Sequence, residues 1–176
     1  ISGLKTVCFF SFEIIFGKTA VLFAAACESG ALVSEASNTE VTALREFGTN
    51  LGIIFQIVDD MLDYSSDEKT LGKDVGNDFF EGKVTLPVIF LQQKADELEQ
   101  KFISNVFAKN LLASERCDAD FAQFLELMKK HKALEACRDM ALQHHALALK
   151  NLEIFANSNS KQDLIAILDY SLARIF

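Results

Sequence analysis

Very little in this chain stops a helix. Its one proline is Pro87, and three of its eight glycines, Gly72, Gly76 and Gly82, crowd into one short stretch. Elsewhere long apolar stretches recur at helical spacing, and no alternating β pattern competes with them. The chain therefore reads as all-α, with helices expected near residues 9–36, 40–64, 87–107, 118–130, 134–155 and 161–174. Ser37 and Asn38 stand as cap candidates before the second helix, Pro87 occupies a tolerated first-turn position, and residues 157–160 form a polar turn before the last helix. Periodicity is weakest over 108–132, where polar residues intervene. No repeat, low-complexity tract or linker interrupts the sequence. Its 176 residues, 50% of them hydrophobic, suit a single domain with a sizeable core.

Several function classes drop out at once. Lys+Arg 17 against Asp+Glu 25 leaves a net charge of −8, which disfavours nucleic acid, because neutralising phosphates takes a basic surface. Cys8, Cys27, Cys117 and Cys137 are scattered without a CxxC pair, so they read as free thiols in a reducing, cytoplasmic setting rather than as a zinc site or disulfide framework. The uncharged runs 19–27 and 47–58 fall short of the roughly 20 residues needed to cross a bilayer, and no transmembrane segment is expected. The chain opens at Ile1 and its first methionine is Met61, so it is expected to be a fragment.

The helix around residue 56 carries the first chemical signal. At 100° per residue, Leu44, Phe47, Leu51, Ile54, Phe55, Val58 and Leu62 share one face, and Gln56, Asp59, Asp60 and Asp63 fall opposite. Carboxylates converging within a turn repel one another by ~0.2–0.5 kcal/mol per close pair, and by more where water is scarce. Magnesium suits such a face, being a hard cation that takes carboxylate oxygens while keeping waters and substrate phosphates. A solvated acidic face is the plainer alternative. The apolar flanks 53–58 and 61–62 argue against it, since charge set in a core helix needs compensation.

Directly after DDMLD, residues 70–87 (TLGKDVGNDFFEGKVTLP) combine three glycines with Lys73 and Lys83 and the acids Asp74, Asp78 and Glu81. Glycine permits a tight backbone path, and lysine supplies a point charge for phosphate. Upstream, Lys18 and Thr19 sit in the apolar run FEIIFGKTAVLFAAA, where the lysine either snorkels to the surface or points into a polar cavity. His131, His144 and His145 read as surface or packing residues. The sixteen phenylalanines most simply fill a core.

Taken together, GKTAVLFAAACESGAL (17–32), LGIIFQIVDDMLDY (51–64) and GKDVGNDFFEGKVTLP (72–87) resemble the trans-polyprenyl diphosphate synthases, especially their long-chain, octaprenyl-like members. The resemblance implies the C-terminal part of an isoprenoid-synthase-type helical bundle. It also implies head-to-tail condensation of isopentenyl diphosphate with an allylic diphosphate. Asp59, Asp60 and Asp63 would then form the second aspartate-rich motif and bind Mg2+ on the allylic diphosphate, with Asp78 in a supporting metal shell. Lys18, Lys73 and Lys83 would hold phosphate oxygens. Thr19 and Gln56 would turn oxygen dipoles towards the carbocation, which is electrostatic catalysis in a water-excluded cavity.

The departures are equally specific. The family's first DDxxD motif, its paired arginines and most of the isopentenyl diphosphate site have no counterpart in this chain, so inactivity alone is expected. A bundle cut this way should expose apolar surface beyond what a soluble monomer usually shows, which predicts poor solubility, homodimerisation or pairing with a synthase. A non-catalytic helical partner of a full-length synthase is the competing reading. A terpene cyclase-like protein fits the loop after DDMLD less well.

Overall fold

The computed structural model describes residues 19–65, 75–107 and 116–174. These form helices and no strand: α1 Val21–Val33, α2 Asn38–Leu62, α3 Asn77–Phe80, α4 Leu86–Lys94, α5 Glu97–Val106, α6 Asp118–Lys130, α7 Ala133–Asn151 and α8 Asn159–Ala173. The all-α expectation holds. Residues 9–18 of the first expected helix lie outside the described residues, as do Lys18 and Lys73.

Local chemistry sets the helix ends. Ser37 caps α2 through a reciprocal pair: its N–H and hydroxyl donate to the Glu40 carboxylate at 2.8 and 2.7 Å, and the Glu40 N–H approaches its Oγ at 3.4 Å. The Ser158 hydroxyl accepts from the Lys161 N–H at the start of α8, and Pro87 sits in the first turn of α4. The expected helix over 87–107 is in fact two. Ala95 is extended (ψ 147°), and the Asp96 carboxylate takes the N–H groups of Leu98 and Glu99 while Glu99 reaches back to the Asp96 N–H. A carboxylate able to cap a new helix competes with continuing the old one. The expected loop after DDMLD also contains α3, and α7 stops at Asn151 rather than 155.

The described residues fall into two compact units. In the unit formed from residues 59–137, Phe79 is fully buried and touches Phe80, Phe107, Phe121 and Phe124 at ring-centroid distances of 5.0 to 5.7 Å. Tyr64, Val88, Leu91, Ile103, Val106 and Met128 complete this core. A four-residue helix cannot hold itself together, so burial of Phe79 is what keeps α3 in place.

In the unit formed from residues 19–58 and 138–174, α1 crosses α2 at Gly48 and Gly52. A Cβ added at Gly48 would fall 2.5 Å from the Phe23 carbonyl oxygen, and one at Gly52 would fall 2.6 Å from the Ala20 Cα. This backbone-to-backbone approach leaves no room for any other residue. Elsewhere in the unit a polar chain ties α2 to α7: Asn151 donates to Glu46 at 2.9 Å, Asn50 donates to Asn151 at 3.2 Å, and the Asn50 oxygen lies 2.8 Å from His144 Nδ1. Burial lowers the His144 pKa. All three histidines have such packing partners, His145 with Asp169 and His131 with Glu99.

Candidate functional site

The acid face of α2 is less symmetric than a helical wheel suggests. Asp59 is exposed and Asp60 is only 5% exposed, while Phe55, expected on the apolar face, is exposed, and Ile53, Ile57 and Met61 are buried. Packing covers α2 over more than one face, so the wheel's centre of hydrophobicity does not coincide with its open side. Around the buried Asp60, the Leu86 N–H points at Oδ2 from 3.5 Å.

Asp63 and Asp78 are brought together by main-chain bonds across the segment that separates them. The Asp78 N–H donates to Asp63 Oδ2 and the Gly76 N–H donates to the Asp63 carbonyl, both at 2.8 Å. Gly76 makes this return with φ +89°, and its Cα lies against the Phe121 ring, where a Cβ would fall 2.6 Å from Cζ. Burial first, and the charge of Asp78 second, raise the Asp63 pKa against the lowering pull of the Asp78 N–H. Lys83 Nζ lies 3.1 Å from Asp78 Oδ1 and 2.6 Å from Glu81 Oε2, and these bonds, the Glu81 one foremost, raise its pKa. Half of the Lys83 side chain remains exposed, so its ammonium is free to exchange these carboxylates for another anion.

Behind these groups lies Tyr64, one turn after Asp60 and 2% exposed. Its hydroxyl sits beside that of Thr85, but neither completes a well-formed hydrogen bond. Burial, reinforced by Asp78, Asp63 and Asp60, raises its pKa, so Tyr64 stays a neutral phenol. Sequence reasoning passed over Tyr64 and also Arg116, whose guanidinium holds the Phe80 carbonyl. Arg116 lies in the weakly periodic stretch, where no local signal marked it.

In the other unit, the close crossing at Gly48 and Gly52 continues to Gln56, the next position along the same side of α2. There Thr19 Oγ1 donates to Gln56 Oε1 at 2.7 Å. The pairing of Thr19 with Gln56 thus follows from two glycines spaced four apart and a polar residue four further on.

The donor set suits a hard divalent cation. Among the described residues no three His, Cys, Asp or Glu side chains converge as a ready cage. Magnesium does not require one, since it commonly takes one or two carboxylates and completes its shell with water and phosphate. A carboxylate whose ionised form is disfavoured by burial and by a neighbouring acid is one that a cation would stabilise.

The family model for polyprenyl synthetase matches residues 11–128. The chain is 36% identical over 162 residues to the short chain isoprenyl diphosphate synthase of Methanothermobacter thermautotrophicus, covering 92% of this chain and 48% of that protein. The crystal structure of a decaprenyl diphosphate synthase from Rhodobacter capsulatus superimposes with a TM-score of 0.83 at 38% identity, covering 94% of this chain and 50% of the other. A polyprenyl synthase from Caulobacter crescentus, complexed with calcium and isoprenyl diphosphate, gives a TM-score of 0.83 at 36% identity, with 93% and 48% covered. The chain spans about half the length of these relatives.

Proposed function

Since this chain belongs to the polyprenyl synthetase family, we propose that it carries the second aspartate-rich diphosphate site of a prenyltransferase that joins isopentenyl diphosphate head-to-tail to an allylic diphosphate. The observation that carries the proposal is the Asp63–Asp78–Lys83 arrangement, in which a carboxylate disfavoured by burial stands next to a half-exposed lysine held by Asp78 and Glu81. Such a set is built to exchange partners when a metal diphosphate arrives.

Asp59, Asp60 and Asp63 would hold magnesium, with Asp78 supporting Asp63. The ion would neutralise charge developing on the leaving diphosphate. The solved relative bound to calcium and isoprenyl diphosphate supports a divalent cation in this role. Lys83 would leave Asp78 and Glu81 for a phosphate oxygen, and Lys18 and Lys73 would also hold phosphate oxygens. The Thr19–Gln56 pair would set oxygen dipoles towards the allylic cation, preorganised so that no reorientation is needed as charge forms. Unpaired Cys27, Cys117 and Cys137 fit a reducing cytoplasm.

The exposed apolar residues of α1, among them Leu22 (67% exposed) and Val33 (85% exposed), favour a further chain as partner. That partner is a second copy or a full-length synthase. The competing reading, a helical partner without a working site, draws on the same surface. Titration of a non-hydrolysable allylic diphosphate analogue, with and without magnesium, separates the two. Magnesium-dependent binding that disappears in Asp59→Ala, Asp60→Ala supports the proposal; a folded chain that binds nothing refutes it.

A further inference from the structure

The turn that delivers Lys83 is held from beneath by a buried cation. Arg116 is 7% exposed, yet the hydrogen bonds described for it go to main-chain carbonyls and not to carboxylates. Its Nε donates to the Val106 carbonyl at 2.8 Å and its Nη1 donates to the Phe80 carbonyl at 3.1 Å. The guanidinium plane lies directly on Gly82, leaving no space for a side-chain carbon there, and Gly82 itself turns through φ +70°. Lys83 follows immediately, its N–H tied to the Asp78 carbonyl at 2.8 Å.

Burying a guanidinium on neutral acceptors is costly, because carbonyl dipoles replace only part of its hydration. A methionine or leucine would fill the same space without that cost. What arginine adds is a rigid fork that fixes two carbonyls at a set separation. One belongs to the end of α5 and the other to the end of α3, so the fork ties the Lys83 turn to the core helix packed beside it.

We infer that Arg116 is a positioning residue: its guanidinium locks the turn over residues 80–82 so that the Lys83 ammonium is presented to the diphosphate. The inference rests on the reading of Lys83 as a diphosphate ligand. It requires no contact between Arg116 and the ligand, and it predicts that the effect of Arg116 passes through Lys83.

The test is a double-mutant cycle on magnesium-dependent binding of inorganic pyrophosphate, using Arg116→Met, Lys83→Met and the combination in the intact chain. Arg116→Lys, which keeps the charge but cannot bridge both carbonyls, serves where the methionine variant fails to fold. Each single substitution is expected to weaken binding roughly tenfold, and the double variant no further. Without ligand, the amide resonances of Phe80, Glu81, Gly82 and Lys83 should shift in the Arg116 variants, whereas those around Thr19 and Gln56 should not. Binding lost in Lys83→Met but unchanged in both Arg116 variants overturns the inference alone. Equal weakening by Arg116→Met with or without Lys83 also overturns it, since Arg116 would then act through general stability. Absence of magnesium-dependent binding by the parent chain overturns the diphosphate reading and the role of Arg116 together.

Discussion

Substituting alanine for Gly48 tests the close crossing of α1 and α2, and the structure supplies its own control. At Gly48 the added Cβ would stand 2.5 Å from the Phe23 carbonyl oxygen, 2.8 Å from its carbon and 2.9 Å from the Ala24 Cα. All three are main-chain atoms of a packed helix, so no flexible side chain can move aside. Overpacking of this kind costs about 1–3 kcal/mol. Replacing glycine by alanine within a helix returns about 1 kcal/mol of propensity. With three backbone atoms crowding one methyl, the steric cost lies in the upper part of that range, about 2–3 kcal/mol, and Gly48→Ala should lose about 1–2 kcal/mol net. At Gly30, also helical, nothing lies within 4 Å of the added Cβ, so Gly30→Ala should gain about 0.5–1 kcal/mol. Urea unfolding followed by far-ultraviolet circular dichroism measures both. The reasoning fails if the two variants change stability in the same direction, because only the crossing distinguishes them.

Asp63→Asn should make the chain more stable at neutral pH and poorer at binding. Folding raises the Asp63 pKa through burial, so this carboxyl contributes most when protonated, and its contribution falls as pH rises from the ordinary carboxylate range through the raised value. Asparagine keeps an acceptor for the Asp78 N–H without the charge; its thermal midpoint should exceed the parent's at pH 7 and match it in acid, while magnesium-dependent pyrophosphate binding weakens at least about tenfold. Glu99 behaves in the opposite sense. Bonds from Lys130, then from the Asp96 N–H and His131, hold its pKa down at about 2, so its contribution is present above the ordinary glutamate range and is lost as pH falls towards that value. Glu99→Gln should lower the midpoint at pH 7, and the gap should close on acidification; a pH-independent gap would show that the loss is not electrostatic. In sedimentation velocity the chain should run as an oligomer that Leu22→Lys with Val33→Lys dissociates, and a monodisperse parent monomer would refute the reading of the α1 surface.

Much of this protein is written locally. Helix content follows from apolar periodicity and scarce breakers, and the caps at Ser37, Ser158 and the α4 proline follow from residues a few positions apart. The acid motif and the glycine and lysine loop are likewise contiguous, which is why they stand out together in the sequence. The break at Asp96 was also local, a capping box with Glu99, but the continuous apolar pattern on either side hid it.

Other features depend on which chain segments meet. Whether Asp59 or Asp60 is the exposed acid is decided by what packs on each side of α2, and two adjacent residues of one type carry no mark of that difference. The binding of Asp63 by the Asp78 N–H needs the chain to return after Gly76, and the setting of the Lys83 turn needs Arg116 to arrive from far along the sequence. Periodicity and propensity act over a few residues, so the sequence by itself determined the helices, their caps and the kinds of chemical group available. Burial and desolvation arise only when distant segments exclude water together, so the tertiary structure alone decided which of those groups are buried, charged and aimed.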